Sequence, residues 1–217
     1  AIDDVPVRVE VIPQEEVEEK LLMTPSNVAM LLNESTGMRV QTTSSTSNAV
    51  NLRIQGLAGR YTQLLTDGIP NLGGLSSSFS LTQLPPLNLR QVEVVKGATS
   101  ALYGPDAISG IVNFITKEPR TEGEFQALVN GTTQKGFDLV AFYSKQYEDF
   151  GSTLLVSKNT QEMFDVDGDD YADVAEYQRL SITPKLTFTF TDKLNATFSF
   201  GYTEETRVGG ILGATSQ

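Results

Sequence analysis

The sequence contains no cysteine and no histidine. Without cysteine it has no disulfides, thiolate nucleophiles or Cys-ligated zinc sites, although cysteine usage alone does not assign a compartment. Without histidine, the Ser-His-Asp and Cys-His catalytic arrangements and the commonest metal ligand are excluded. Only carboxylate, Lys, Tyr or Thr chemistry is left, so an enzymatic role is not expected.

Basic residues are scarce, since 16 Lys and Arg stand against 27 Asp and Glu and the net charge is −11. This deficit disfavours attraction to phosphate backbones, so nucleic acid is not an expected partner. The chain also lacks an apolar run of about 18 residues and a charged-then-apolar signal peptide. A membrane is not excluded by these absences, because alternating barrel strands barely register in hydropathy averages.

Residues 1–120 combine short strand-like and helix-like segments, which predicts a mixed α/β unit. Pro13 stops the first strand, and the acidic segment Gln14–Lys20 suits the first turns of a helix. A second helix is expected to open at Pro25-Ser26 and to end before Gly37. The predicted strands of this half are Val7–Ile12, Met38–Gln41, Asn51–Gln55, Gln63–Asp67, Gln91–Lys96 and Gly110–Lys117.

From about residue 122 onward, strict alternation replaces the helical period. The runs 182–190 and 194–202 place apolar side chains on one face and mostly polar ones on the other. Each run is about as long as the ~9–11 residues that a tilted strand needs to cross a bilayer. A soluble β-sandwich would also alternate. The tight Thr191–Lys193 turn and the long Asn159–Glu176 loop favour the membrane barrel, in which short turns and long loops lie on opposite sides.

Three blocks, Asn51–Gly56, Leu64–Pro70 and Val92–Lys117, resemble in order and spacing the plug of TonB-dependent outer-membrane receptors. The resemblance implies an α+β plug domain with a small mixed sheet over residues 1–120. Antiparallel transmembrane β-barrel strands, forming an incomplete barrel, are then expected over residues 121–217. The family's usual Arg-Gly-Pro is here Lys96-Gly97-Ala98, and lysine lacks the guanidinium fork of a bidentate plug-to-wall contact.

The resemblance also implies a function, which is active uptake of a bulky nutrient across the bacterial outer membrane. The plug is expected to face the periplasm inside a barrel of about 22 strands. The implied partners are the periplasmic energy-coupling protein TonB, outer-membrane lipid and a nutrient ligand. That ligand would be a ferric siderophore, cobalamin, haem or an oligosaccharide, with haem disfavoured by the lack of histidine.

The chain opens at Ala1–Asp4 without a visible coupling box and stops after about five barrel strands. Since a barrel must close to satisfy its backbone in lipid, a fragment is expected. One alternative is a stand-alone plug-like binding module or pore stopper without transport activity. Another is a carboxylate-based enzyme such as a glycosidase, although no spacing singles out a carboxylate pair.

Two loops rich in small polar residues, Thr42–Ala49 and Asn71–Thr82, are the candidate ligand-binding surface. By resemblance they form the outward apex of the plug. A flexible connector is the alternative interpretation for both. The residues expected to contact ligand are Asn71, Leu72, Gly73, Gly74, Leu75, Ser76, Ser77, Ser78 and Phe79.

The loop 165–176 has the oxygen-ligand spacing of a calcium loop. Counted from Asp165 as position 1, its ligands would stand at positions 1, 3, 5, 7, 9 and 12, the spacing of an EF-hand loop. Asp170 replaces the turn glycine of that pattern, and aspartate tolerates the left-handed conformation better than most residues. A structural Ca²⁺ site outside the cell is predicted, and an acidic solvated loop without metal is the alternative. The predicted ligands are the carboxylates of Asp165, Asp167, Asp169, Asp173 and Glu176 and the carbonyl of Tyr171.

Overall fold

The computed structural model describes residues 8–23, 26, 28–33, 35–44, 49–71, 81–97, 107–191 and 193–212. Apart from a segment that begins at Ser44, the chain divides into two compact units between Lys117 and Glu118. Short 3₁₀ turns lie at Gly59–Tyr61, Leu81–Gln83 and Pro86–Asn88. The first unit contains helices α1 (Gln14–Leu21) and α2 (Ala29–Asn33) and strands β1 (Arg8–Ile12), β2 (Met38–Ser44), β3 (Ala49–Ile54), β4 (Thr62–Thr66), β5 (Ile69–Pro70), β6 (Leu89–Lys96) and β7 (Gly110–Thr116).

The first unit is built on a mixed sheet with strand order β1-β6-β7-β4-β5. Strands β4 and β7 are parallel, whereas β6 pairs antiparallel with both β1 and β7. Strands β2 and β3 form a separate two-stranded sheet. The small mixed sheet and its predicted strands at 91–96 and 110–117 are therefore confirmed.

One face of the mixed sheet carries the core, because alternate residues of β6 and β7 point to the same side. Val92, Val94, Val112 and Phe114 have no measurable exposure. Val17 of α1 and Leu31 and Leu32 of α2 belong to the same cluster. Burying side chains of this size contributes about 1.5–3 kcal/mol each, so this cluster is the main source of stability in the unit.

The predicted second helix begins later and ends earlier than expected. It covers only Ala29–Asn33, and Ser26 lies in a turn before it. A serine hydroxyl can form hydrogen bonds with nearby backbone groups in place of the helical ones, so serine favours turns and helix caps. At the other end, Asn33 Oδ1 accepts the Val40 N–H at 3.1 Å, which ties this residue to β2.

The turn Asp67-Gly68 fixes the end of β7. Both residues have positive φ, 50° and 79°. The Asp67 carboxylate accepts the Thr116 N–H at 2.8 Å and the Thr116 hydroxyl at 2.7 Å. A residue that tolerates the left-handed region and carries two acceptors is required here, which explains why the turn contains aspartate.

The second unit is an antiparallel sheet in which neighbours in sequence pair in order. Strand β11 pairs with β12 over its second half and with β13 over its first half. The two pairings share one register, so β12 and β13 lie end to end along β11. The interruption lies opposite Pro184, which has no N–H to donate. The strands are β8 (Glu124–Gly131), β9 (Gly136–Gln146), β10 (Phe150–Gln161), β11 (Glu176–Thr191), β12 (Leu194–Ser199) and β13 (Tyr202–Val208).

The strands of the second unit have two different faces. One face is buried and includes Val140, Phe142, Leu155 and many polar side chains. The other face is mostly apolar and more exposed. At one end of it the Phe188 ring contacts Phe150 in a tilted arrangement and Phe198 edge-to-face. The alternation predicted from the sequence is confirmed. No helix among the described residues is long and apolar enough to cross a membrane.

Candidate functional site

The predicted ligand loops lie mostly outside the described residues. Of the expected contacts, Asn71 alone is described, and Leu72–Phe79 are not. The Asn71 N–H donates to the Leu64 carbonyl at 2.9 Å, and its Oδ1 accepts the Thr66 hydroxyl at 2.8 Å. Asn71 thus anchors the start of its loop to β4. At the base of the other loop, the Thr43 hydroxyl donates to the Ala49 carbonyl at 3.1 Å.

A polar row crosses β8, β9, β10, β11 and β13 on their buried face, near the ends that adjoin loop 162–175. It consists of Asn130, Asp138, Asn159, Arg179 and Glu205, which stand opposite one another in register. We call these five residues the polar row.

Hydrogen bonds connect every neighbouring pair of the polar row. The Asp138 carboxylate accepts Asn130 Nδ2 at 3.0 Å and Asn159 Nδ2 at 2.8 Å. Arg179 Nε donates to Asn159 Oδ1 at 3.3 Å, and Arg179 also contacts Glu205 at 3.5 Å. Donors and acceptors therefore alternate along the row, which satisfies polar groups that would be costly to bury unpaired.

The polar row ends in a cluster of two arginines around one carboxylate and one ring. Arg207 donates to Glu205 at 2.7 Å, on the side of Glu205 away from Arg179. Both guanidinium groups lie over the Tyr177 ring, at 5.4 Å for Arg179 and 4.9 Å for Arg207. The carboxylate and the ring offset the repulsion between the two cations, so this cluster is a stable structural element of the wall.

The sequence interpretation did not identify the polar row. Alternation places its members on the polar face of their strands, but their contacts depend on register between strands. That register could not be read without the turn and loop geometry.

The predicted calcium loop folds so that three of its five carboxylates converge. One oxygen from each of Asp165, Asp167 and Asp173 lies within 4.8 Å of the others. Asp169 instead accepts the Tyr171 N–H at 2.8 Å, and Glu176 begins β11 opposite Val208. The three grouped carboxylates are hard oxygen ligands of the kind that Ca²⁺ takes. The calcium assignment stays a prediction.

Charge and backbone donors perturb this loop in opposite directions. The N–H groups of Gly168, Asp170 and Asp167 bond to the Asp165 carboxylate and hold its pKa below the ordinary value. Repulsion from the Asp169 carboxylate is the main cause that raises the pKa of Asp167, and desolvation and the Asp173 carboxylate add to it. A cation placed among the grouped carboxylates would relieve that repulsion.

The sequence and fold are similar to those of outer-membrane receptors. The chain is 27% identical over 220 residues to the ferrichrome outer membrane transporter/phage receptor of Escherichia coli (strain K12), covering 96% of this chain and 27% of that protein. The fold resembles the siderophore receptor PirA from Acinetobacter baumannii, with 21% identity and a TM-score of 0.70 over 92% of this chain and 32% of that one. It also resembles a mutant of the ferric enterobactin receptor PfeA from Pseudomonas aeruginosa, with 19% identity and a TM-score of 0.74 over 94% and 33%.

The chain spans about a quarter to a third of the length of these relatives, as the covered shares of 27%, 32% and 33% show. The likeness to the solved structures is evidence of fold. Residues 1–111 match the family described as TonB-dependent Receptor Plug Domain, and that family consists of outer-membrane transporters and receptors. Since the match covers half of the chain, this protein belongs to the TonB-dependent receptor plug-domain family.

Proposed function

We propose that the chain is part of a receptor that takes up a ferric siderophore across the bacterial outer membrane with energy supplied through TonB. The observation that carries the proposal is the union, in one chain, of a plug domain and antiparallel wall strands. A binding module without transport activity has no need of wall strands that expose an apolar face. An enzymatic activity is not part of the proposal.

The siderophore is proposed over cobalamin, haem or an oligosaccharide because of the relatives. The curated relative is a ferrichrome transporter, and the structural neighbours include receptors for siderophores and for ferric enterobactin. The polar row and its arginine cluster supply buried hydrogen-bonding groups to the wall. Such a wall can hold its register around a passage for a large polar ligand.

Uptake in cells tests the proposal. The full-length receptor is expressed in a strain without its own siderophore receptors, and radioactive iron is supplied as a ferric hydroxamate or a ferric catecholate. We expect accumulation of iron from at least one of them, and we expect that accumulation to disappear when the TonB gene is deleted.

Other outcomes would change the proposal in specific ways. TonB-dependent uptake of cobalamin or an oligosaccharide in place of iron would keep the transport role and replace the substrate. Tight binding of a ligand without accumulation, with or without TonB, would favour a receptor or stopper that does not transport.

A further inference from the structure

We propose that Lys96 and Glu10 form a latch that holds the N-terminal strand β1 on the plug sheet and makes β1 the first strand to detach when the latch opens. The Lys96 ammonium donates to the Glu10 carboxylate and to the Thr36 carbonyl. One side chain thus joins β1, the end of β6 and the turn that precedes β2. This inference goes beyond the proposed function, because it concerns where the plug yields and not what it carries.

The latch depends on the burial of the lysine. The Lys96 side chain is 3% exposed, whereas that of Glu10 is 29% exposed. A buried ammonium group is costly unless it is paired and hydrogen-bonded. Removal of Glu10 would leave the ammonium with the Thr36 carbonyl and without its counter-charge. Hydration of the unpaired Lys96 ammonium would then lower the free energy of the plug. Water reaches this group when β1 separates from β6.

Apart from the Lys96–Glu10 pair, few contacts hold strand β1 on the sheet. It lies at the edge of the sheet, and among the described strands it pairs only with β6. Val9 and Val11 lie on the face of β1 opposite Glu10 and are about half exposed, whereas Ile12 is buried. Lys96 stands opposite Arg8 in register, at the end of β1 that faces the chain terminus. A force on the preceding chain would therefore load the half of β1 that contains the latch before it reaches Val11 and Ile12.

Hydrogen–deuterium exchange of the full-length receptor, followed by mass spectrometry, tests the latch. In Glu10→Gln we expect the β1 amides to exchange about tenfold faster or more, since breaking a buried pair is strongly destabilising. The amides of β4 and β7 should keep their protection. In Glu10→Gln combined with Lys96→Met, β1 should return close to the wild-type rate, because no unpaired buried charge remains.

The control is Glu162→Gln, which breaks the pair between Lys135 and Glu162 at 3.0 Å. Both side chains of that pair are more than half exposed, so the same chemical change should leave protection of β9 and β10 unchanged. The latch is overturned if Glu10→Gln leaves β1 unchanged, or if it accelerates β1, β4 and β7 equally. It is also overturned if the added Lys96→Met fails to restore β1, because the buried charge would then not be the cause.

Discussion

At Gly110 the backbone of the neighbouring strand leaves no room for a side chain. Its φ is +138°, and a Cβ added there would lie 2.1 Å from the Val95 carbonyl oxygen across the β6–β7 pair. Backbone strain alone costs about 1–3 kcal/mol, and we expect Gly110→Ala to destabilise the plug by more than this. The added Cβ would clash with backbone atoms, and such a clash cannot relax by rotating a side chain. Faster hydrogen exchange of the β6 and β7 amides would show this.

Gly97 provides the matched control for that substitution. Its φ is also positive, +113°, but no atom of the described residues lies within 4 Å of the added Cβ. Gly97→Ala should therefore show the strain without the clash. If both variants exchange at the same rate, close approach of the strands is not the reason for the glycine at position 110.

The polar row makes a prediction at the scale of strands. Asn159 is fully buried and both donates to Asp138 and accepts from Arg179. Replacing it with Leu removes both bonds, although Asp138 keeps Asn130 and Arg179 keeps Glu205. A buried polar group that loses a hydrogen-bond partner costs about 1–3 kcal/mol. We expect Asn159→Leu to lower the temperature midpoint of unfolding of the full-length receptor, as measured by heat-dependent gel migration.

Ser157 offers a control on the same strand and the same face. It is buried, and its hydroxyl has no hydrogen-bond partner among the described residues. Ser157→Ala removes a polar atom that makes no bond, so the unfolding midpoint should stay the same or rise slightly. An equal loss in both variants would mean that packing, and not the polar row, stabilises the wall.

The carboxylate loop makes a prediction about calcium. We expect Ca²⁺ to bind the intact receptor in calorimetric titration. Asp167→Asn combined with Asp173→Asn should abolish the heat of binding, because these residues supply two of the three grouped carboxylates. Asp170→Asn, which changes the charge by one unit outside that group, should bind with only slightly reduced affinity. Identical heats in all three proteins would identify the loop as an acidic surface.

The pKa shifts give the same loop a pH dependence. The raised pKa of Asp167 means that the folded loop holds this proton more tightly than the unfolded chain. Without a cation, the loop is therefore more stable with Asp167 protonated and loses that stability as pH rises through the raised pKa. Calcium and the proton compete, so affinity should fall as pH drops through that range. Titration of Asp167 by NMR should show a lower pKa with calcium, and an unchanged pKa would contradict this.

Local patterns predicted elements better than they predicted contacts. The period-two alternation predicted the faces of β11 and β12 because it depends only on neighbouring residues. The link from Asn159 to Arg179 could not be predicted, since it depends on how the chain returns after loop 162–175. The same limit applies to the calcium loop, where spacing did not reveal that Asp169 bonds to the Tyr171 N–H.

At the scale of the whole molecule, the second unit exposes an apolar face that calls for a covering. Its exposed face carries Leu154, Leu186, Phe190 and Phe198, each more than one third exposed. Contiguous apolar surface of this kind marks a membrane or a protein interface. Alternating strands with one apolar face suit the lipid side of an outer-membrane wall, which agrees with the outer-membrane location of the family.

The ligand loop provides the last prediction. Small polar residues at 73–78 can offer hydroxyl and backbone groups to a large polar ligand, and Leu72, Leu75 and Phe79 can add apolar contact. We expect deletion of Gly73–Ser78 in the full-length receptor to abolish binding of the ferric siderophore that the uptake assay identifies. Heat-dependent gel migration should stay that of the wild type, because Asn71 and its bonds to β4 are kept. A folded variant with wild-type affinity would remove this loop from the ligand site and leave the proposed uptake function intact.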